Sequence, residues 1–346
     1  MHGGSTPGAA HRVPVIRTSD PGHAAVRRRT ACRTMIVSIA HLLGGPMSGV
    51  PHGNVPAGGN SVPGGWDVTR SVGATALAVA AARAAEAERP DPLVVDPYAR
   101  ALVDAAAPGL PLPRGADDDG GVGWRALVDM MAIRTRVLDA ALLAAAADGV
   151  RQVVVPAAGL DARPYRLAWP DGTSVYEIDQ PEVLAHKQRV LGATAARARR
   201  VAVPCDLRDD WPGALRGSGF DPGRPTAWLV EGLLAYLPPE AEADLLARVD
   251  ELSAPGSRVA LEAVDLAVAD EYLHTDEVRA MAPAMGSDLA QLWDTRRRPA
   301  PASVLRAAGW DVRERPLGEL GADLGRQLTG PVGTLVAHVL IVEASR

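Results

Sequence analysis

Apolar and polar positions fall into two rhythms along the chain. From Asp67 to Glu88 the pattern is helical and Ala-rich, stopping ahead of Arg89-Pro90. Pro97–Ala106 predicts a second, short helix. About Trp124 to Ala147 predicts a long one, with Gly149 just past its end. A Pro-, Gly- and Asp-rich loop from Pro108 to Gly123 separates the last two. Beyond Gly149 strands alternate with helices. The strand candidates are Gln152–Pro156, Ser174–Ile178, Arg200–Val203, Ala227–Glu231, Ser257–Val264, Trp310–Arg315 and Thr334–Val342. Helical candidates include Pro181–Gly192, Glu240–Ser253 and Ala302–Ala308. The unbroken runs VVV (153–155) and WLV (228–230) suit strands buried on both faces. The alternation predicts an α/β fold with a mostly parallel sheet and right-handed crossovers. Leu266–Pro299 break the rhythm and predict a helical insertion over the sheet.

Residues 1–65 are rich in Gly, Pro, His and Arg, show no sustained period, and read as a disordered extension. They hold six arginines against the one acid Asp20, so a net charge of −5 for the whole leaves −10 on the remainder. An acidic body does not attract nucleic-acid phosphates, so no nucleic-acid partner is expected. No apolar run is long enough to span a bilayer. Met35–Leu43 follows basic residues like the front of a signal peptide, but it is short and contains His41. A natural start at Met35 or Met47 is the simpler expectation, which intact-mass analysis of native protein tests. Only Cys32 and Cys205 are present, far apart, with no metal-ligand spacing. This fits a reducing cytoplasm and no structural metal. Apolar residues reach 47%, enough for a large core, but Phe220 is the only phenylalanine, so Ala, Val and Leu must build most of it.

In an open parallel sheet, ligands bind beyond the carboxyl ends of the strands. After the first strand, Gly159 stands in the turn VVVPAAGLDARPYRL (153–167), where glycine permits close backbone approach. Pro156 lacks an N–H and predicts that pairing ends there. The turn has no GxGxxG, which counts against a nicotinamide or flavin enzyme. After the second strand, Asp179 is placed to accept from ribose hydroxyls or to cap the helix starting near Pro181. Glu177 is expected to point to the same side. The interval from Gly159 to Asp179 matches the roughly 20 residues expected for a ribose acid. After the third, Asp206 suits the exocyclic amine of adenine and Leu207 its ring; the alternative is an acidic run capping the helix at Pro212. After the fourth, Glu231 needs a cation, either a ligand ammonium or an internal arginine. On the long helix, Arg134 can pair with a carboxylate or lie on a solvated face. Together the six offer binders for a carboxylate, an amine, a ribose and an adenine, the set that S-adenosylmethionine (SAM) needs.

The blocks WDVTRSVGATAL (66–77), DPLVVDPYA (91–99), RTRVLD (134–139), AAGLDARPYRL (157–167), YEIDQP (176–181), CDLRDDWP (205–212), PTAWLVEGLLAYLPPE (225–240) and LSAPGSRVALE (252–262) resemble the leucine carboxyl methyltransferase-like superfamily, in particular its actinobacterial group. The likeness covers about residues 66–346. It implies a Rossmann-like class I methyltransferase: a seven-stranded, mostly parallel sheet with its last strand antiparallel, helices on both faces and a helical lid. Residues 66–147 would form an N-terminal helical cap, and 148–346 the core with a lid at about 266–299. The resemblance implies that SAM is the cofactor. Arg134 would hold its carboxylate and Gly159 line its methionine part. Asp179 would bind the ribose, Asp206 and Leu207 would frame the adenine, and Glu231 would lie near the amino group.

Methyl transfer from a sulfonium chiefly requires alignment of nucleophile, methyl and sulfur. If the acceptor needs a general base, His274 and Tyr236 are the candidates, with Tyr272, Met281, Met285 and Trp293 as candidate lining of an apolar acceptor pocket. The expected activity is O-methylation of a small molecule, at a carboxyl or hydroxyl group. A non-catalytic SAM-binding regulator and a NAD(P)-dependent oxidoreductase are the alternatives.

Overall fold

The computed structural model describes Met1 and residues 72–106, 115–116, 121–264, 294–328 and 339–346. Residues 2–65 of the proposed extension, His274 and its apolar neighbours in the proposed lid lie outside these residues. Three helices come first: α1 (Val72–Ala87), α2 (Ala99–Ala106) and α3 (Gly121–Ala147). Asp96 starts α2 by accepting from the N–H groups of Tyr98 and Ala99. Gly149, at φ +94°, follows the end of α3, and Val150 N–H bonds back to the Ala145 carbonyl.

Then come β1 (Gln152–Pro156), α4 (Arg163–Arg166), β2 (Ser174–Asp179), α5 (Pro181–Leu191), β3 (Arg199–Pro204), α6 (Trp211–Gly217) and β4 (Thr226–Val230). A 3-10 turn (Leu234–Tyr236) leads to α7 (Pro239–Glu251), β5 (Arg258–Ala263), α8 (Pro301–Ala307), β6 (Asp311–Pro316), α9 (Leu317–Asp323) and β7 (Leu340–Ser345). The final strand lies further along than the apolar run 334–342 predicts. Its position is set by pairing on both sides, with Ser345 opposite Arg258 of β5 and Asp311 of β6. An apolar run does not encode that register. The 3-10 turn, α4 and α9 are too short to display a helical period.

The strands form one sheet in the order β3-β2-β1-β4-β5-β7-β6. β7 alone runs opposite to the other six strands. This is the seven-stranded sheet that the resemblance implied. The order reverses between β1 and β4, so the crevice of this fold opens at their carboxyl ends.

Alternate strand residues enter different cores. Val154, Tyr176, Trp228, Val230, Val259 and Leu261 pack against α6, α7 and α8. There the single phenylalanine, Phe220, lies 5.8 Å from the Tyr176 ring and 5.9 Å from Trp228. Val153, Val155, Val175, Ala227, Leu229 and Ala260 face α3 and α9. A third core joins α1, α2 and the start of α3 to Leu160, Ala162 and Tyr165 of the β1–α4 turn. The same alternation puts Asp179, Glu231 and Glu262 on the parity of the α3 face, where Arg134 lies.

Candidate active site

Pairing of β1 stops at Pro156, opposite Ile178, as its missing N–H predicts. Beyond it, Ala158 N–H bonds to the Ile178 carbonyl at 3.1 Å. Between them Ala157 sits at φ +51°, the one non-glycine residue with positive φ among the described residues; Gly159 follows at φ +47°. Such left-handed backbone costs an L-residue on the order of 1–2 kcal/mol and persists only where the surroundings fix it. Here the fixing bonds are the Ala158 amide and a 2.6 Å bond from Gly159 N–H to Asp179 Oδ2. A side chain at Gly159 would meet Ala76 of α1 only at 4.0 Å, so conformation rather than crowding favours glycine there. Arg83 of α1 holds the turn from above, donating to the Leu160 carbonyl at 2.9 Å and pairing with Asp96 at 3.0 Å.

Asp179 ends β2 and accepts from Gly159 N–H and, at 2.7 Å, from Gln180 N–H. Gln180, not Asp179, is the N-cap residue of α5, and it makes no side-chain cap. The Asp179 carboxylate is thus turned toward the β1 turn, not the helix. Burial pushes its pKa above the ordinary value, against the pull of the two N–H donors. Glu177, two residues earlier, lies on the same face of the strand, as alternation predicts, but deeper than the crevice. Its side chain is fully buried and pairs with Lys187 of α5 at 2.7 Å and Arg200 of β3 at 2.6 Å. Shared parity placed both acids on one face, but α5 covers the deeper one.

Asp206 follows β3. It accepts from Gln180 and from the backbone and side chain of Arg208. The Arg208 hydrogen bond holds its carboxyl well below the usual range. The capping alternative falls to a different residue, since Asp210 accepts from Gly213 N–H at the start of α6. Leu207 is half-buried at the edge of the first core.

Glu231 lies just past β4 and meets two guanidinium groups. Its Oε1 is 2.8 Å from Arg134 Nε and its Oε2 is 2.8 Å from Arg163 Nη1. Burial raises its pKa, but Arg163 and Arg134 outweigh that and hold it at about 2. Arg134 is buried, not on a solvated face, and its Nη1 also pairs with Glu262 of β5 at 2.9 Å. Glu262 in turn accepts from Gly232 N–H at 2.9 Å, tying the β4 turn to β5. Arg163 continues the network to Asp139 of α3 at 2.7 Å and to Asp161, and Arg166 pairs with Asp139. Asp161, buried beside Arg163, sits at a pKa of about 2.

The six residues singled out from the sequence therefore all lie at or against the carboxyl ends of β1 to β4, and Arg134 and Glu231 are in direct contact. Arg163, Asp139, Asp161 and Glu262 were not singled out. Glu262 carried a signal, a lone charge inside the apolar run VALEAV. The others did not, because arginine and aspartate in a turn are ordinary. The network contains Arg134, Arg163 and Arg166 against Asp139, Asp161, Glu231 and Glu262, one more negative charge than positive. That surplus lies beside a left-handed glycine turn and the carboxylate at the end of β2. Among the described residues no group of three or more His, Cys, Asp or Glu is arranged to hold a metal ion, and no helix is long and apolar enough to cross a membrane.

The strand order defines a Rossmann-like α/β fold. Residues 76–250 match the leucine carboxyl methyltransferase family. A relative from Saccharopolyspora erythraea is 47% identical over 81% of this chain and 98% of its own length; one from Mycobacterium avium is 45% identical over 81% and 96%. Both are named as predicted S-adenosyl-L-methionine-dependent methyltransferases. Among solved structures, a DUF574 family protein from Streptomyces avermitilis aligns at TM-score 0.46 and 17% identity, covering 77% of this chain and 96% of that one. The chain belongs to the leucine carboxyl methyltransferase family and is a SAM-dependent methyltransferase.

Proposed function

We propose that this chain methylates an oxygen, carboxyl or hydroxyl, of a small-molecule acceptor. The observation that supports its cofactor half is the line of residues along one crevice: Gly159, Asp179, Asp206 and Glu231 follow four adjacent strands, and Arg134 of α3 meets Glu231. SAM supplies the electrophilic methyl group on a sulfonium. In this reading Asp179 accepts from the ribose hydroxyls, while Asp206 and Leu207 frame the adenine. Gly159 lets the backbone approach the methionine part. Glu231, held ionised, accepts from the ammonium group. Arg134, whose Nη1 donates to Glu262, is assigned to the cofactor carboxylate. The chain's contribution to the reaction is mainly alignment, since a sulfonium methyl needs an in-line nucleophile more than an activated one. A carboxylate acceptor requires no base. A hydroxyl acceptor does, and His274 and Tyr236 are the candidates.

Calorimetric titration with SAM beside NADH, on wild type and Asp179→Ala, tests the cofactor roles. Binding of SAM alone, weakened at least about tenfold by the substitution, is the expected result. Unchanged affinity in the variant would remove the ribose role. A panel of small carboxylic acids and phenols then tests the acceptor class, and turnover only with protein or nucleic-acid acceptors would contradict it.

A further inference from the structure

We propose that Arg163 is a positioning residue: it orients Glu231 toward the cofactor's ammonium group and is itself held by Asp139 and Asp161. The proposal rests on the reading that Glu231 receives that ammonium. Arg163 is 3% exposed and joins three parts of the fold. Its Nε reaches Asp139 on α3 at 2.7 Å, and its Nη1 meets both Asp161 in the β1 turn and Glu231 beyond β4. Asp161 also accepts from the Arg163 backbone N–H at 2.6 Å, so one carboxylate fixes both the main chain and the side chain of the arginine. Arg166 donates to Asp139 at 2.7 Å and keeps that acid in place. Pro164 presets the first turn of α4 from which both arginines project.

The result is a Glu231 with each oxygen on a different guanidinium group, Oε1 on Arg134 and Oε2 on Arg163. A carboxylate has about four lone-pair sites, so both oxygens keep acceptor capacity for an ammonium. Without Arg163 only Arg134 would face the carboxylate, through Oε1, and Oε2 would lose its partner. A lysine would keep the charge but lose the planar fork that spans Asp139 and Glu231 together. The charged groups facing Glu231 are Arg163 from α4, Arg134 from α3, Asp161 from the β1 turn and Arg83 from α1, with Glu262 of β5 sharing Arg134. Arg163 is the leading cation holding Glu231 ionised against burial.

The test compares two probes, S-adenosylhomocysteine, which carries the amino-acid portion, and methylthioadenosine, which lacks it. Calorimetry is run on wild type, Arg163→Met, Arg163→Lys and Glu231→Gln, with near-ultraviolet circular dichroism as the check of folding. Arg163→Met is expected to weaken S-adenosylhomocysteine about tenfold and leave methylthioadenosine unchanged, with partial recovery in Arg163→Lys. In Arg163→Met the ratio of the two affinities should also begin to fall at a higher pH than in wild type, because Glu231 has lost its leading cation. Equal losses for both probes, or no loss for either, would overturn the proposal. If Arg163→Met does not fold, Arg163→Lys carries the same comparison. If Glu231→Gln leaves S-adenosylhomocysteine binding intact, the reading of Glu231 itself is wrong. If that variant weakens binding and the Arg163 variants do not, only the role of Arg163 fails.

Discussion

Asp179 and Glu231 are both acids at strand ends, yet their surroundings push them in opposite directions. Glu231 lies between two guanidinium groups and stays ionised down to about pH 2. Asp179 has only backbone donors beside it, and burial raises its pKa. The fold therefore favours its protonated form, and the ionised carboxylate costs stability as pH rises from the ordinary carboxylate range through the raised value. The ionised carboxylate is the stronger acceptor for ribose hydroxyls. Affinity for SAM should therefore fall as pH drops through that raised value, and Asp179→Asn should bind weakly with a flatter acid limb. Titrations across the acid range check this. An unchanged limb in Asp179→Asn would assign it elsewhere.

At the level of elements, β2 and α5 are joined by charge as well as by apolar packing. Lys187, the only lysine of the chain, is fully buried against Glu177, with Arg200 of β3 on the other oxygen. Removing one partner of a buried pair leaves an underpaired charge, whereas removing both is far less harmful. Lys187→Met should lower the unfolding free energy by about 3 kcal/mol, and the double variant with Glu177→Gln should lose less. Urea unfolding of the two variants measures the difference. Equal losses would mean that Lys187 acts there by packing alone.

For the whole molecule, the last described segment is structurally central. β7 lies between β5 and β6 and pairs with both, and the Arg346 backbone exchanges bonds with Gly256 and Ser257. Deleting residues 340–346 would part β6 from the rest of the sheet, so the shortened chain should show no cooperative thermal transition. A wild-type melting curve from that deletion would contradict the sheet order.

Much of this was legible before any coordinates. Alternating strands and helices, the proline that ends β1 and the glycine beyond α3 are local signals. They depend on periods and backbone preferences that the chain carries within a few residues. Asp179 and Glu231 could be singled out because an acid at the end of an apolar strand is costly without a partner. What the partner is was decided by tertiary structure. Glu177 and Asp179 share a strand face, but the packing of α5 buries one and leaves the other at the crevice. Glu231 admitted either an internal arginine or a ligand amine, and folding brought it both Arg134 from about a hundred residues earlier and Arg163 from a short turn with no readable period. The position of β7 likewise follows from pairing on two sides, not from its own apolar run. Local sequence determined where the elements lie and which ends are polar; long-range packing determined which charges meet, because no residue's neighbours in the chain specify its neighbours across the sheet.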